Sequence, residues 1–372
     1  MAVYILLLIW VLICSRIENA KVFWGNKKIL SGKLLYLLLT FIPLWFVMAF
    51  RAPTVGTDTY ANASYFVSAA TASSFNYLVH DGIWKAGIGV ISYLLGIIYP
   101  GMEMYIFWSS TVIIIGFAVF IYRTSNKVWL STFLFLTLNF YFISLNASRQ
   151  FVAIAIILNA FWYIYHDNTS VIGWSLVILA AWIHNSAFSF LPAFLGMLLV
   201  KHCRNYTKLY VVSFFAAVIF SIGMMGLADI FASLFPHYAI YTQGAIEDNF
   251  LENTGGGKIV ITYISFLIVL IMYYVISKAS GKHINYTLAD TFLPGAIFCV
   301  VVGIVYSTNT MMNRVALPYQ CLFISLIPYV FSKFQPCSRY VIYMVMILGL
   351  SGYYFLWMSG NLGNVVPYLL WL

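Results

Sequence analysis

Three arginines stand where a membrane chain seldom keeps positive charge. Each borders a long apolar segment, at Phe50-Arg51, Asn146-Ala-Ser-Arg149-Gln150 and Met312-Asn313-Arg314. Arginine near hydrocarbon costs about 3 kcal/mol on insertion scales, so three at such borders invite a functional explanation. The planar guanidinium fork matches phosphate, bonding two of its oxygens at once. An anionic headgroup at the membrane surface is the first ligand this chemistry suggests.

Other polar residues accompany them. Arg51 leads into Pro53-Thr54-Val55-Gly56-Thr57-Asp58-Thr59-Tyr60, where Pro53 stops the helix running on and Gly56 permits a tight turn. Thr57, Asp58 and Thr59 bring hydroxyls and a carboxylate suited to gripping sugar hydroxyls, although Asp58 equally suits a helix N-cap. Asn146 and Arg149 are three apart and share a helix face, with Gln150 following, so amide and guanidinium groups reach phosphate or sugar oxygens together. The plainer reading of Arg149 is snorkelling to the interface. His184, in Ala181-Trp182-Ile183-His184-Asn185-Ser186, closes another apolar segment. Histidine titrates near neutrality and serves as a proton acceptor, but a lone membrane histidine is also a common hydrogen-bonding residue. No cysteine or second histidine stands at ligand spacing from it, so no metal or other cofactor is expected. Arg314 follows Thr308-Asn309-Thr310 and precedes Leu317-Pro318-Tyr319.

The elements that must hold these groups follow from composition. The chain has 372 residues, 63% hydrophobic and 8% charged, against about 25% charged in a soluble domain. Its apolar runs of roughly 15–20 residues are continuous rather than alternating, which predicts membrane helices and excludes a barrel. The expected fold is an all-α polytopic membrane protein, a single integral membrane domain over 1–372. About twelve spans are expected, at 2–16, 33–50, 104–122, 128–145, 150–166, 169–184, 187–200, 208–228, 258–277, 286–307, 315–331 and 340–357. The net charge of +9 is scattered between these runs, which argues for topology signals rather than nucleic-acid binding. The five cysteines form neither a disulfide framework nor a C-x-x-C pair. The apolar N-terminus, with its basic residues after it, predicts a retained first span with its start outside.

Placing the first basic loop in the cytoplasm puts fourteen of the nineteen Lys and Arg there and leaves Arg51, Lys85, Arg149, Lys258 and Arg314 outside. This holds only if 85–100 does not cross fully. Gly87, Gly89, Gly96 and Pro100-Gly101 predict a re-entrant or interfacial helix there. Two long outer loops are expected, about 51–84 with His80 and Asp81, and about 229–257 with an aromatic run read as an interfacial belt.

At these residues the chain resembles the EpsG family, Wzy-like polymerases of bacterial capsule and exopolysaccharide synthesis. The resemblance covers about residues 1–331. It rests on Phe50-Arg51 with Val55-Gly56-Thr57-Asp58-Thr59, Asn146…Arg149-Gln150 with Ala153, His184-Asn185-Ser186-Ala187, and more loosely Arg314…Tyr319. One stretch departs: the family often has acidic-Pro-Gly-aromatic where this chain reads Asp81-Gly82-Ile83-Trp84. The resemblance implies a membrane glycosyltransferase acting on oligosaccharide repeat units carried by undecaprenyl diphosphate. It would sit in the bacterial plasma membrane with its active face outside, beside a flippase and a chain-length regulator. On that reading Arg51, Arg149 and Arg314 bind the diphosphate, with Asn146, Gln150, Thr57 and Thr59 on sugar or phosphate. His184 is the preferred base, with Asp58 as second candidate or as its orienting partner. A flippase for the same lipid-linked sugar and an O-antigen ligase are the competing classes. A flippase should carry polar residues through the midplane, whereas Asp290 is the main charge inside these spans.

Overall fold

A computed structural model describes residues 1–371 except 25–26, 75–86, 235–255, 280, 282–283, 285 and 308–313. His80, Asp81, Lys85, Lys282, Thr308-Asn309-Thr310 and most of the second long loop therefore lie outside the described residues. The chain forms two compact units, Met1–Phe188 with Phe334–Leu372, and Ser189–Lys333.

The first unit contains α1 (Ala2–Ile13), α2 (Gly32–Ala49), α3 (Thr59–Ala70), α4 (Gly87–Gly96), α5 (Met102–Thr124), α6 (Val128–Thr137), α7 (Phe140–Asn146), α8 (Ser148–His166) and α9 (Val171–Ile183). In the second unit are α10 (Leu191–His202), α11 (Tyr206–Leu234), α12 (Gly256–Ala279), α13 (Leu288–Val305), α14 (Leu317–Gln320) and α15 (Phe323–Ser332). The chain then returns to the first unit with α16 (Pro336–Ser359). The expectation of helices alone misses one feature, an antiparallel hairpin of β1 (Lys21–Trp24) and β2 (Lys27–Ser31).

All twelve expected segments fall on helix, but fewer qualify as spans. Among the described residues eight helices are long and apolar enough to cross a membrane, nine if the bent pair α6–α7 counts as one. α9 and α10 have 13 and 12 residues, about 20 and 18 Å of helix against a hydrocarbon core of about 30 Å. The segment expected at 128–145 is broken: Asn139 adopts a left-handed conformation (φ 64°) and the two halves meet at 51°. α4, within the doubtful 85–100 segment, has ten residues, about 15 Å, too short to cross as a straight helix. Each long loop is shorter than expected. α3 occupies much of the first, and α11 runs on to Leu234 in the second.

Local chemistry explains the helix in front of the site. Ser31 caps α2 by accepting the Leu34 amide at 3.2 Å. Pro43 inside α2 has no N–H, which strands the Leu39 carbonyl; the Trp10 indole of α1 takes it at 2.8 Å. Stacked and tilted rings of Phe41, Phe135, Phe117 and Phe151 join α2, α6, α5 and α8 in the core. α5 and α8 run in the same direction. Tyr105 meets Ser148 near their starts, Gly116 lies against Ala155, and Arg123 bonds Asn159 and Tyr163 near their ends.

Charge separates along this unit as the topology argument requires. At one end Lys33 donates to the Ser125 carbonyl, Arg123 stacks on Trp162 and Tyr163, and Glu18 accepts the Trp129 amide at the start of α6. Arg51, Asp58 and Arg149 lie at the opposite end, where α2 stops and α3 and α8 begin.

In the second unit α13 is buried over most of its length, as expected of a helix apolar all round. Asp290 in its first turn is saturated. One carboxylate oxygen accepts the Tyr206 and Tyr273 hydroxyls, and the other accepts the Thr287 amide and hydroxyl. Lys201, Lys278 and Lys333 lie over tyrosine rings at this same end. Arg314 begins the span that ends beside Lys333, so it sits at the other end.

Candidate functional site

The polar end of the first unit is built where two helices finish and two begin. A helix terminus leaves four carbonyls without helical partners, and each must be satisfied when buried. At the end of α2, Phe46 O takes the Phe50 amide, Val47 O the Tyr368 hydroxyl, and Met48 O the Arg51 Nη1 and Ser110 Oγ. At the end of α7, Leu145 O takes Arg51 Nη2 at 3.2 Å and Thr59 Oγ1 at 3.0 Å, and Asn146 O takes Asn62 Nδ2. One guanidinium therefore caps two helices at once.

This corrects the expectation for Arg51. It is 1% exposed, with Nη1 also donating to Ser110 Oγ at 3.2 Å, so its fork faces protein rather than a ligand. Among the described residues no carboxylate is bonded to it; four tyrosines, Tyr141, Tyr105, Tyr4 and Tyr368, lie within electrostatic reach. The negative ends of two helices, each equivalent to about half an electronic charge, supply the counter-charge. Burial draws the guanidinium below the ordinary arginine pKa, yet the group remains a cation.

Asn146 is half-buried and bonded within the fold. Its Oδ1 accepts the Thr57 amide at 2.6 Å and the Thr57 hydroxyl at 3.1 Å, clamping the first loop to the end of α7. Thr59 is fully buried, its hydroxyl donating to Val55 O and Leu145 O. Gln150 is buried too. Of the four residues expected on sugar or phosphate, Thr57 alone is exposed.

Arg149 and Asp58 behave differently. Arg149 is half-buried in the first turn of α8, lies over the Tyr65 ring at 5.6 Å, and makes no hydrogen bond or ion pair among the described residues. Asp58 takes the N-cap position of α3 without using its side chain as a cap, and its half-buried carboxylate accepts no hydrogen bond there. Both charges lie within electrostatic reach of the Tyr105 hydroxyl, which pairs with Ser148 Oγ at 2.7 Å. A cation and a carboxylate without hydrogen bonds among the described residues thus act on one buried hydroxyl pair.

His184 closes α9, which returns towards this end from the turn after α8. Its Nδ1 lies 2.7 Å from Ser186 Oγ and accepts the Ser186 amide at 3.3 Å. A backbone N–H only donates, so the proton of the neutral ring belongs on Nε2. Held this way, His184 turns Nδ1 to Ser186, the partner that orients its ring in the structure. Arg314 is exposed in the second unit. Among the described residues no group of three or more His, Cys, Asp or Glu is placed to hold a metal ion.

Sequence reasoning missed Tyr105, Ser148, Tyr65 and the segment after α16. That segment pairs with the first loop through Ala52 N to Leu369 O, Trp371 N to Phe50 O, Gly56 N to Asn364 O and Thr57 N to Gly363 O. The turn residues Asn361, Gly363 and Asn364, all with positive φ, are the signal that marks an ordered turn there.

The architecture defines a multi-pass helical membrane protein with an unspent cation and carboxylate at the end away from its basic residues. The EpsG family profile matches residues 34–370, and the chain belongs to that family of Wzy-like polysaccharide polymerases. No curated protein and no solved structure matches the chain.

Proposed function

We propose that the chain polymerises lipid-linked oligosaccharide repeat units, moving the growing glycan from undecaprenyl diphosphate to the next lipid-linked unit at the outer face of the plasma membrane. The observation that carries this reading is that Arg149 and Asp58 both lie within electrostatic reach of the Tyr105 hydroxyl, neither side chain with a hydrogen bond among the described residues. Arg149, at the start of α8, meets the diphosphate where backbone amides also favour an anion. As the sugar–phosphate bond breaks, negative charge grows on the departing diphosphate, and a fixed guanidinium stabilises it without a metal.

Deprotonation of the acceptor hydroxyl falls to Asp58, whose carboxylate has an open coordination sphere. His184 donates from Nε2 to a phosphate or sugar oxygen. Thr57 is the accessible hydroxyl for sugar contact, while Arg51, Asn146 and Thr59 hold the loop that carries it. A flippase and a chain-length regulator of the same pathway would be its partners. The test is gel profiling of glycan from a deletion strain carrying Arg149→Ala. The expected result is loss of the ladder with single repeat units accumulating on lipid, and full insertion of the protein. A normal ladder from Arg149→Ala refutes the proposal, and units trapped on the inner leaflet would indicate flipping.

A further inference from the structure

We infer that residues 361–371 are a positioning element of the catalytic site, acting through Asn146 and the first loop. The inference rests on the polymerase reading above. Three residues, Asn361, Gly363 and Asn364, build an ordered turn in this segment. Asn361 bonds its own turn, with Nδ2 to Val366 O at 2.7 Å and Oδ1 from Val366 N at 2.9 Å. Gly363 (φ 97°) and Asn364 (φ 51°) take left-handed conformations, which ordinary side chains resist. The segment is then fastened from below, Tyr4 OH donating to Val365 O at 3.0 Å and Tyr368 OH to Val47 O at 3.1 Å.

Its contacts converge on the site. Arg51 and Leu370 form an antiparallel bridge, so the loop from Phe50 to Thr57 is held as a strand-like partner of the tail. The Asn364 and Gly363 carbonyls take the Gly56 and Thr57 amides, at 2.8 and 3.2 Å, in the turn directly before Asp58. Gly363 also lies against the Asn146 amide: a Cβ built there would stand 2.5 Å from Asn146 Nδ2. The same Asn146 clamps Thr57 and lies three residues before Arg149. Both unspent charges are thus placed by groups the tail touches. The family match extends through this tail to residue 370.

The test uses the full chain in a Cys337→Ser background, because Cys337 is exposed and the other four cysteines are buried. Val365, 0% exposed, is replaced by cysteine as a reporter of docking, read with a water-soluble maleimide in membrane vesicles. Asn364→Val, a β-branched residue forced into a left-handed position, should release the tail; Asn364→Gly accepts the conformation and should not. Expected are labelling of Cys at 365 and turnover about a hundredfold lower for Asn364→Val, with protection and near-parental turnover for Asn364→Gly. A purely structural role would lower protein amount without changing turnover per molecule. Release of the tail with unchanged turnover per inserted molecule overturns the inference. A parent chain that makes no polymer from lipid-linked units would sink the polymerase reading beneath it, whatever the labelling.

Discussion

Replacing Arg51 separates a residue that caps helices from one that binds a ligand. The guanidinium makes three hydrogen bonds, to Met48 O, Ser110 Oγ and Leu145 O. Bonds to a charged group are each worth about 1.5–3 kcal/mol, so their loss alone would remove about 5–9 kcal/mol. Against this stands the desolvation of a fully buried cation, several kcal/mol, which an apolar replacement abolishes. Arg51→Met also removes the buried Nε that has no partner. The stranded carbonyls keep other donors, Ser110 Oγ on Met48 O and Thr59 Oγ1 on Leu145 O. The net loss for Arg51→Met is therefore about 1–3 kcal/mol. Arg51→Ala adds a cavity of about 90 Å³, worth about 2 kcal/mol more.

Lysine is the decisive variant. It keeps the charge and its desolvation penalty, but a single ammonium cannot bridge the ends of two helices as the fork does. The expected order of stability, read as unfolding midpoints of detergent-purified protein, is wild type, then Met, then Lys. A ligand-binding cation predicts the reverse for activity, with Lys partly active and Met inactive. A Lys variant as stable as wild type, beside a Met variant that loses only polymer, would refute the helix-capping account.

Asp58→Asn removes a carboxylate that accepts no hydrogen bond among the described residues; the unfolding free energy should change by less than about 0.5 kcal/mol while polymer output falls about 10²–10⁴-fold, read from melts and glycan gels on the same preparations. Asn139→Gly should be near neutral, whereas Asn139→Ala should cost about 1–2 kcal/mol in the same melts because residue 139 is left-handed. Asp290→Ala leaves the Tyr206 and Tyr273 hydroxyls and the Thr287 amide without their acceptor. A loss of about 3 kcal/mol is expected, seen as faster amide exchange at the start of α13.

What the sequence displays is set by local physics. Continuous apolar runs announced every helix of the expected map, and the scatter of Lys and Arg separated the two ends of each unit. The hairpin at 21–31 was also legible in principle, since Gly25-Asn26 between two short runs is a turn signal. Span number was not, because the left-handed Asn139 divides one apolar run without any proline to mark it. Arg51 shows why site roles resist reading. Its partners, Met48 and Leu145, are the carbonyl ends of two helices that meet only in the fold, and nothing in Phe50-Arg51 announces the second. The tail was invisible for the same reason, its partners in the first loop lying more than three hundred residues away. Arg149 and Asp58 could be singled out in the sequence as charges at the edges of membrane segments, but that neither side chain has a hydrogen bond among the described residues is visible only in the fold.

The break at Asn139 also sets the combined reach of α6 and α7. α6 rises about 15 Å, and the seven residues of α7, turned by 51°, add only about 7 Å along the same axis. Together they fall about 8 Å short of a hydrocarbon core of about 30 Å. The shortened pair ends at Asn146, so that its side chain reaches Thr57 of the first loop directly before α8 begins at Ser148.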